Sequence, residues 1–296
     1  YQGGFIMANA LELSGVTHRF DGFTLDNVSF SVPGGSIMGF VGQNGAGKTT
    51  TIRSILNILK NDGGEIRIFG LDHAKDEAKI KEDIAVVFDE IPFSGTLNPG
   101  QIGKIMSGLF KNWDMAQYNE LLEHFGLPRK KKIKDFSRGM KMKLQICTAF
   151  SHNAKLLIMD EATSGLDPVV RSEMLDLFLN FIKDEEHTIF MSSHITSDIE
   201  RIADSVTFID KGKVLLTGVT AEILENHGIL KCPKERVGEI DSADIVSVRV
   251  NDFGADVMIK NRCECERKYR DLIIDSTTLD EILLFYVRGA SGKEWQ

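Results

Sequence analysis

Gly42-Gln43-Asn44-Gly45-Ala46-Gly47-Lys48-Thr49 is the stretch on which the reading of this chain turns. It follows a mostly apolar run of strand length, Ser36 to Val41, and precedes Thr50 to Leu59, where apolar residues recur at helical spacing. Strand, glycine-rich loop and helix, in that order, form the context in which G-x-x-x-x-G-K-[ST] binds phosphate. Glycines are needed because the backbone must curl with its N–H groups turned inward, and any Cβ would crowd that nest. Lys48 would reach the β- and γ-phosphates, and the Thr49 hydroxyl would hold Mg2+. The helix N-terminus would add about half a positive charge toward the anion.

The loop alone leaves kinases, GTPases, helicases and transport ATPases open. A second motif narrows the choice. Leu156-Leu157-Ile158-Met159 is an apolar strand that delivers two adjacent carboxylates, Asp160 and Glu161, at its carboxyl end, where open α/β sheets bind their ligands. Asp160 suits the Mg2+ shell, and Glu161 suits a general base that polarises the attacking water. A GTPase is disfavoured because the chain holds no Asn-Lys-x-Asp string.

Residues 10–32 alternate apolar and polar in short runs broken by Asp21-Gly22, and Pro33-Gly34-Gly35 ends them, as half-buried antiparallel strands do. Further short strands are expected at Glu65–Phe69, Ile84–Phe88, Leu156–Met159, Thr188–Met191, Val206–Ile209 and Val214–Leu216. Helical stretches such as Met142–Phe150 and Val169–Ile182 separate them. This alternation predicts an α/β fold with a mostly parallel sheet covered on both faces. Residues 99–134 have helical periodicity and read as a helical subdomain. From about Gly228 the texture changes: Ile245–Val250 and Ala255–Ile259 read as strands, and Thr278-Leu279-Asp280-Glu281 reads as a capping box that opens a last helix. Residues 7–228 are thus expected to form one domain and 229–296 a small α+β accessory domain, with residues 1–6 a vector remnant.

Composition sets outer limits. The chain has 296 residues, 42% hydrophobic and 26% charged, with a formal net charge of −8, as a soluble globular protein has. The longest uncharged stretch, Asn27–Gly47, is broken by Pro33 and six glycines, so no membrane-spanning run is expected. The first ten residues offer neither the basic region nor the apolar core of a secretory signal. Four cysteines are too few for a disulfide scaffold and suit a reducing compartment, which predicts a cytoplasmic location. The acidic balance argues against a broad nucleic-acid surface.

From about Leu11 to Leu224 the sequence resembles the nucleotide-binding subunits of ATP-binding-cassette (ABC) transporters, a family of P-loop NTPases. Five elements carry the resemblance in order: the phosphate loop Gly42–Thr50; Phe136-Ser137-Arg138-Gly139-Met140 at the place of the family signature; the Walker-B-like strand ending at Glu161; Thr163–Pro168, similar to the D-loop; and Met191-Ser192-Ser193-His194, similar to the switch histidine. The resemblance implies that Ser137 and the backbone at Gly139 donate hydrogen bonds to the γ-phosphate held by the opposite subunit. It implies that His194 contacts the γ-phosphate and holds the attacking water, and that Asp167 couples the two sites. Phe20 is similar to the aromatic that stacks on adenine. It further implies Mg-ATP hydrolysis by a dimer with a second ATP-binding subunit, alike or related, and a separate integral membrane permease. The chain would then sit peripherally on the inner face of the membrane.

Two positions depart from the family pattern. The signature, usually Leu-Ser-Gly-Gly-Gln, has Met140 for its glutamine and Arg138 for its first paired glycine, a nucleotide-binding position where the guanidinium could add a positive contact or crowd the ligand. The Q-loop glutamine, which normally contacts Mg2+ and the attacking water, is replaced by Asp89, whose carboxylate could still approach the metal but donates no hydrogen bond. The Ser137–Lys141 string is most similar to ATPases of the bacterial ABC-2-type exporters, several of which serve drug or antibiotic efflux. The alternatives are a DNA-maintenance ATPase of the same superfamily, a tandem-cassette translation ATPase and a regulatory single cassette. The first two lack support: there is no sustained heptad pattern, no paired C-x-x-C and only one phosphate loop.

Overall fold

A computed structural model describes residues 8–289; the vector remnant expected at 1–6 and the end of the tail, 290–296, lie outside the described residues. β1 (Asn9–Phe20) and β2 (Phe23–Pro33) form a long antiparallel hairpin. β3 (Ile37–Val41) runs into the phosphate loop and α1 (Lys48–Ile55), after which β4 (Gly63–Ile68) and β5 (Leu71–Asp72) return to the hairpin. The result is a four-stranded antiparallel sheet in the order β2-β1-β4-β5. The strand at 65–69, expected in the parallel sheet, therefore belongs to the antiparallel one. Its residues Glu65-Ile66-Arg67-Ile68 alternate exposed and buried, the pattern of a sheet with one wet face.

After α2 (Glu77–Ile80) and β6 (Ile84–Val87) comes the helical insertion, α3 (Pro99–Leu109) and α4 (Met115–His124). Asn98 and Gln101 form a full capping box at α3, with Pro99 in its first turn. The chain continues through α5 (Arg138–Ser151), β7 (Leu156–Asp160), α6 (Pro168–Phe181), β8 (Thr188–Ser193), α7 (Thr196–Ile202), β9 (Ser205–Asp210) and β10 (Lys213–Val219). The second sheet has the order β10-β9-β3-β8-β7-β6, with every pair parallel except the β9–β10 edge.

This sheet is the centre of the molecule. All residues of β3, β7 and β8 are buried, which accounts for the apolar runs Ile37–Val41, Leu156–Met159 and Ile189–Met191 within them. The period of two divides β3 between two cores. Met38 and Phe40 pack with Leu11, Val28, Ile52 and Phe190 under the antiparallel sheet and α1, whereas Ile37 and Val41 pack with Leu144, Phe178 and Met191 on the helical side.

The tail comprises α8 (Thr220–Asn226), β11 (His227–Cys232), β12 (Ile245–Asn251), β13 (Gly254–Lys260), α9 (Arg262–Lys268), β14 (Ile273–Asp275) and α10 (Leu279–Arg288). A third sheet, β12-β13-β11-β14, is antiparallel throughout. Thr278 and Glu281 form the expected capping box. Leu279, Ile282, Leu283 and Phe285 of α10 join the helical-side core, and Glu200 of α7 accepts from the Leu279 backbone N–H at 3.1 Å. α10 thereby braces α7, the helix that begins two residues after His194.

Candidate nucleotide site

The carboxyl ends of β3, β7 and β8, neighbours in one parallel sheet, bring the loop, the acidic pair and His194 together. The loop's glycines have local reasons. Gly47 caps α1 at φ +116°, and a Cβ on Gly42 would collide with the Ile209 carbonyl oxygen. Lys48 is buried at 5% exposure and donates to the Gly42 and Gln43 carbonyl oxygens at 2.6 and 3.2 Å. Its Nζ also lies 3.0 Å from Glu161 Oε1. A cavity of about 540 Å³ runs beside the loop, lined by Gln43, Asn44, Gly45 and Gly47–Thr50 together with Phe23 and Glu161.

Glu161 is held on both oxygens. His194 Nδ1 lies 2.6 Å from Oε2; since a carboxylate only accepts, that nitrogen carries the proton. Glu161 adopts φ +54°, a left-handed conformation that costs a non-glycine residue energy, and its backbone N–H donates to both the carbonyl and hydroxyl oxygens of Ser192 at 3.2 Å. Ser192, fully buried, in turn donates to Asp160 Oδ1 at 2.7 Å. Ser192 thus fixes both acids, a role that its place in the Met191–His194 string did not disclose.

The remaining expected site residues fall elsewhere. Ser137 is the N-cap of α5 and accepts from the Met140 N–H at 3.3 Å, with half-buried Gly139 in the first turn. Asp167 caps α6 by accepting from the Val169 and Val170 N–H groups. None of these lines the cavity beside the phosphate loop. Phe20, 44% exposed, has its ring centroid 6.4 Å from that of Phe23, and it is Phe23 that lines the cavity. Asp89 and Arg138, expected at the metal and at the nucleotide, form an ion pair with each other.

Among the described residues no group of three or more His, Cys, Asp or Glu could hold a metal, and no helix is long and apolar enough to cross a membrane.

The model of the ABC transporter family matches residues 25–164. The bacitracin transport ATP-binding protein BcrA of Bacillus licheniformis is 39% identical over 194 residues, 65% of this chain and 63% of its own length, so the chain spans a little under two thirds of that relative. The daunorubicin/doxorubicin resistance ATP-binding protein DrrA of Streptomyces peucetius is 32% identical over 229 residues, 74% of this chain and 68% of its own. A solved ATP-binding subunit of an ABC transporter superposes with a TM-score of 0.66 at 27% identity, covering 73% of this chain and 92% of that one. With the phosphate loop, the buried acidic strand and the histidine gathered at one sheet edge, this chain belongs to the ATP-binding proteins of the ABC transporter family.

Proposed function

We propose that this chain binds and hydrolyses Mg-ATP and that the resulting motion powers a separate membrane permease that exports its cargo. The observation that carries the reading is the chain of contacts from Lys48 through Glu161 to His194 at the end of the central sheet. A triphosphate entering the loop offers Lys48 oxygens in place of the Gly42 and Gln43 carbonyls and of Glu161. Glu161 Oε1 is then released to accept a proton from water, while His194 keeps the other carboxylate oxygen in place. The exposed Phe20 ring offers adenine a stacking face, with Phe23 beneath it against Gly47.

The donor set fits Mg2+, which prefers one or two carboxylates plus substrate phosphates to an all-protein cage. Asp160 is buried, and Ser192 engages only its Oδ1, which leaves Oδ2 for the metal; the exposed Thr49 hydroxyl would be the second ligand. When bound, the ion supplies charge neutralisation to the phosphates.

The names of the two relatives, one of transport and one of drug resistance, support export. A groove of about 360 Å³ between β6, the segment after it and α5, lined by Phe88, Phe93, Met106 and Phe110, offers an apolar seat for the permease. That contact would place the chain peripherally on the inner membrane face. Residues 229–296 serve as an accessory domain that braces the cassette through α10.

The test is phosphate release by the purified chain in Mg-ATP, with Lys48→Ala as control, followed by capture of the co-purifying integral protein from native membranes. Hydrolysis equal in the two proteins would overturn the site. Capture of no integral membrane protein would overturn the transport role.

A further inference from the structure

The two departures from the family pattern meet in space. Arg138 Nη2 donates to Asp89 Oδ1, although 49 residues separate them in the chain. The contact has a buried companion one heptad along α5. Gln145, seven residues after Arg138 and so on the same helix face, accepts from the Phe88 N–H at 3.1 Å and donates to the Phe88 carbonyl at 2.9 Å. One face of α5 therefore grips Phe88 by its backbone and Asp89 by its side chain. Arg138 also lies over Gly165 in the loop before α6, so close that a Cβ there would stand 2.7 Å from its Nη1.

We infer that Asp89 and Arg138 act as one unit that fastens the loop after β6 to the nucleotide-capping end of α5, and that neither ligates the metal or the phosphates. The carboxylate and the guanidinium satisfy each other, so the substitution at either position makes chemical sense only beside the other. A glycine at 138 would leave Asp89 without its cation, and a glutamine at 89 would leave Arg138 without its anion. Gln145 is the buried, fixed point of the grip. The ion pair, with both side chains about half exposed, is the part that can part and re-form as the loop moves. Asp89 and Arg138 are thus positioning residues: they set where Ser137 and Gly139 stand relative to the loop that borders the apolar groove. This inference rests on the ATPase reading above.

The experiment is a double-mutant cycle in the full chain with Asp89→Asn, Arg138→Met and both together. It measures kcat and KM for ATP, and also the affinity of a fluorescent ATP analogue with and without Mg2+. Each neutralisation should lower kcat by up to about fivefold, the ceiling for a half-exposed ion pair, and the double variant should fall no further than either single one. KM, analogue affinity and its Mg2+ dependence should not move. Arg138→Lys, which keeps the charge, should retain most of kcat, and the exchange Asp89→Arg with Arg138→Asp should exceed either reversal alone.

Three results would overturn the inference. In the first, the two effects on kcat multiply. In the second, Asp89→Asn raises the Mg2+ needed for analogue binding by about tenfold or more, as loss of a metal contact does. In the third, Arg138→Met weakens analogue binding whatever stands at 89. A wild-type chain that fails to hydrolyse ATP would instead strike the ATPase reading itself.

Discussion

At the residue scale the decisive group is Glu161, held in a left-handed backbone conformation by Ser192 and between two partners by its side chain. Glu161→Gln keeps the shape and removes the base, so turnover should fall by about 10²–10⁴-fold. ATP affinity should be at least that of the wild type, because Lys48 no longer has to leave a carboxylate to meet the phosphates. Single-turnover phosphate release and analogue titration check the two halves, and undiminished hydrolysis would remove Glu161 from the base role. Phe20→Ala removes the exposed stacking face and should weaken ATP binding by about 1–3 kcal/mol, roughly 5- to 150-fold, while leaving a triphosphate without a base unaffected. An equal loss for both ligands would point to damage at the phosphate loop. Lys48, the acidic pair and His194 were legible as motifs because each is a chemical requirement, Lys48 at the helix start after the loop and the others at a strand end. Ser192 was not, since a serine in a buried strand carries no sign of which carboxylate it orients.

At the scale of elements, legibility followed periodicity and punctuation. The continuous runs of β3, β7 and β8 and the capping box of α10 could be read directly, because burial on both faces and a helix start each leave a pattern. β11 was missed: His227–Cys232 follows α8 with no turn residue between them, and its apolar content is short. Yet it is a central strand of the third sheet, and its first residue is a buried histidine. His227 lies against the Ile223 carbonyl oxygen at 2.8 Å and the Tyr286 hydroxyl at 3.2 Å, joining α8, β11 and α10. Burial lowers its pKa, and burial likewise lowers that of His152 at the end of α5. A folded-state pKa below the unfolded value of about 6.5 means that the unfolded chain takes up the proton first as pH falls. The stability these histidines allow at pH 7.5 should therefore diminish as pH drops through about 6.5, and continue to diminish until the folded imidazoles also titrate. Urea midpoints at pH 7.5 and 5.5 test this: the difference should shrink in a His152→Gln, His227→Gln double variant. An undiminished difference would place the pH sensitivity elsewhere.

For the whole molecule, the arrangement of surfaces is the argument for a partner copy. The cavity beside the phosphate loop is lined by the loop, Phe23 and Glu161, and not by Ser137, Gly139 or Asp167. The open start of α5, with its N-terminal partial positive charge, is suited to an anion that its own loop does not hold there. Two copies set head to tail would supply each nucleotide with a cradle from one chain and a cap from the other. Against this stands a net charge of −8 on each copy, which opposes association until salt screens it. For such a pair nucleotide would provide the bias. If ATP binds the pair and not the single chain, two sites each at about 100 times their dissociation constant strengthen association by about 10⁴-fold. Glu161→Gln, which binds without consuming, should run as a dimer in Mg-ATP by light scattering and as a monomer without it, while Lys48→Ala should stay monomeric in both. A Glu161→Gln chain that is saturated with ATP yet remains single would show that the cap at α5 closes on something other than a second copy of this protein.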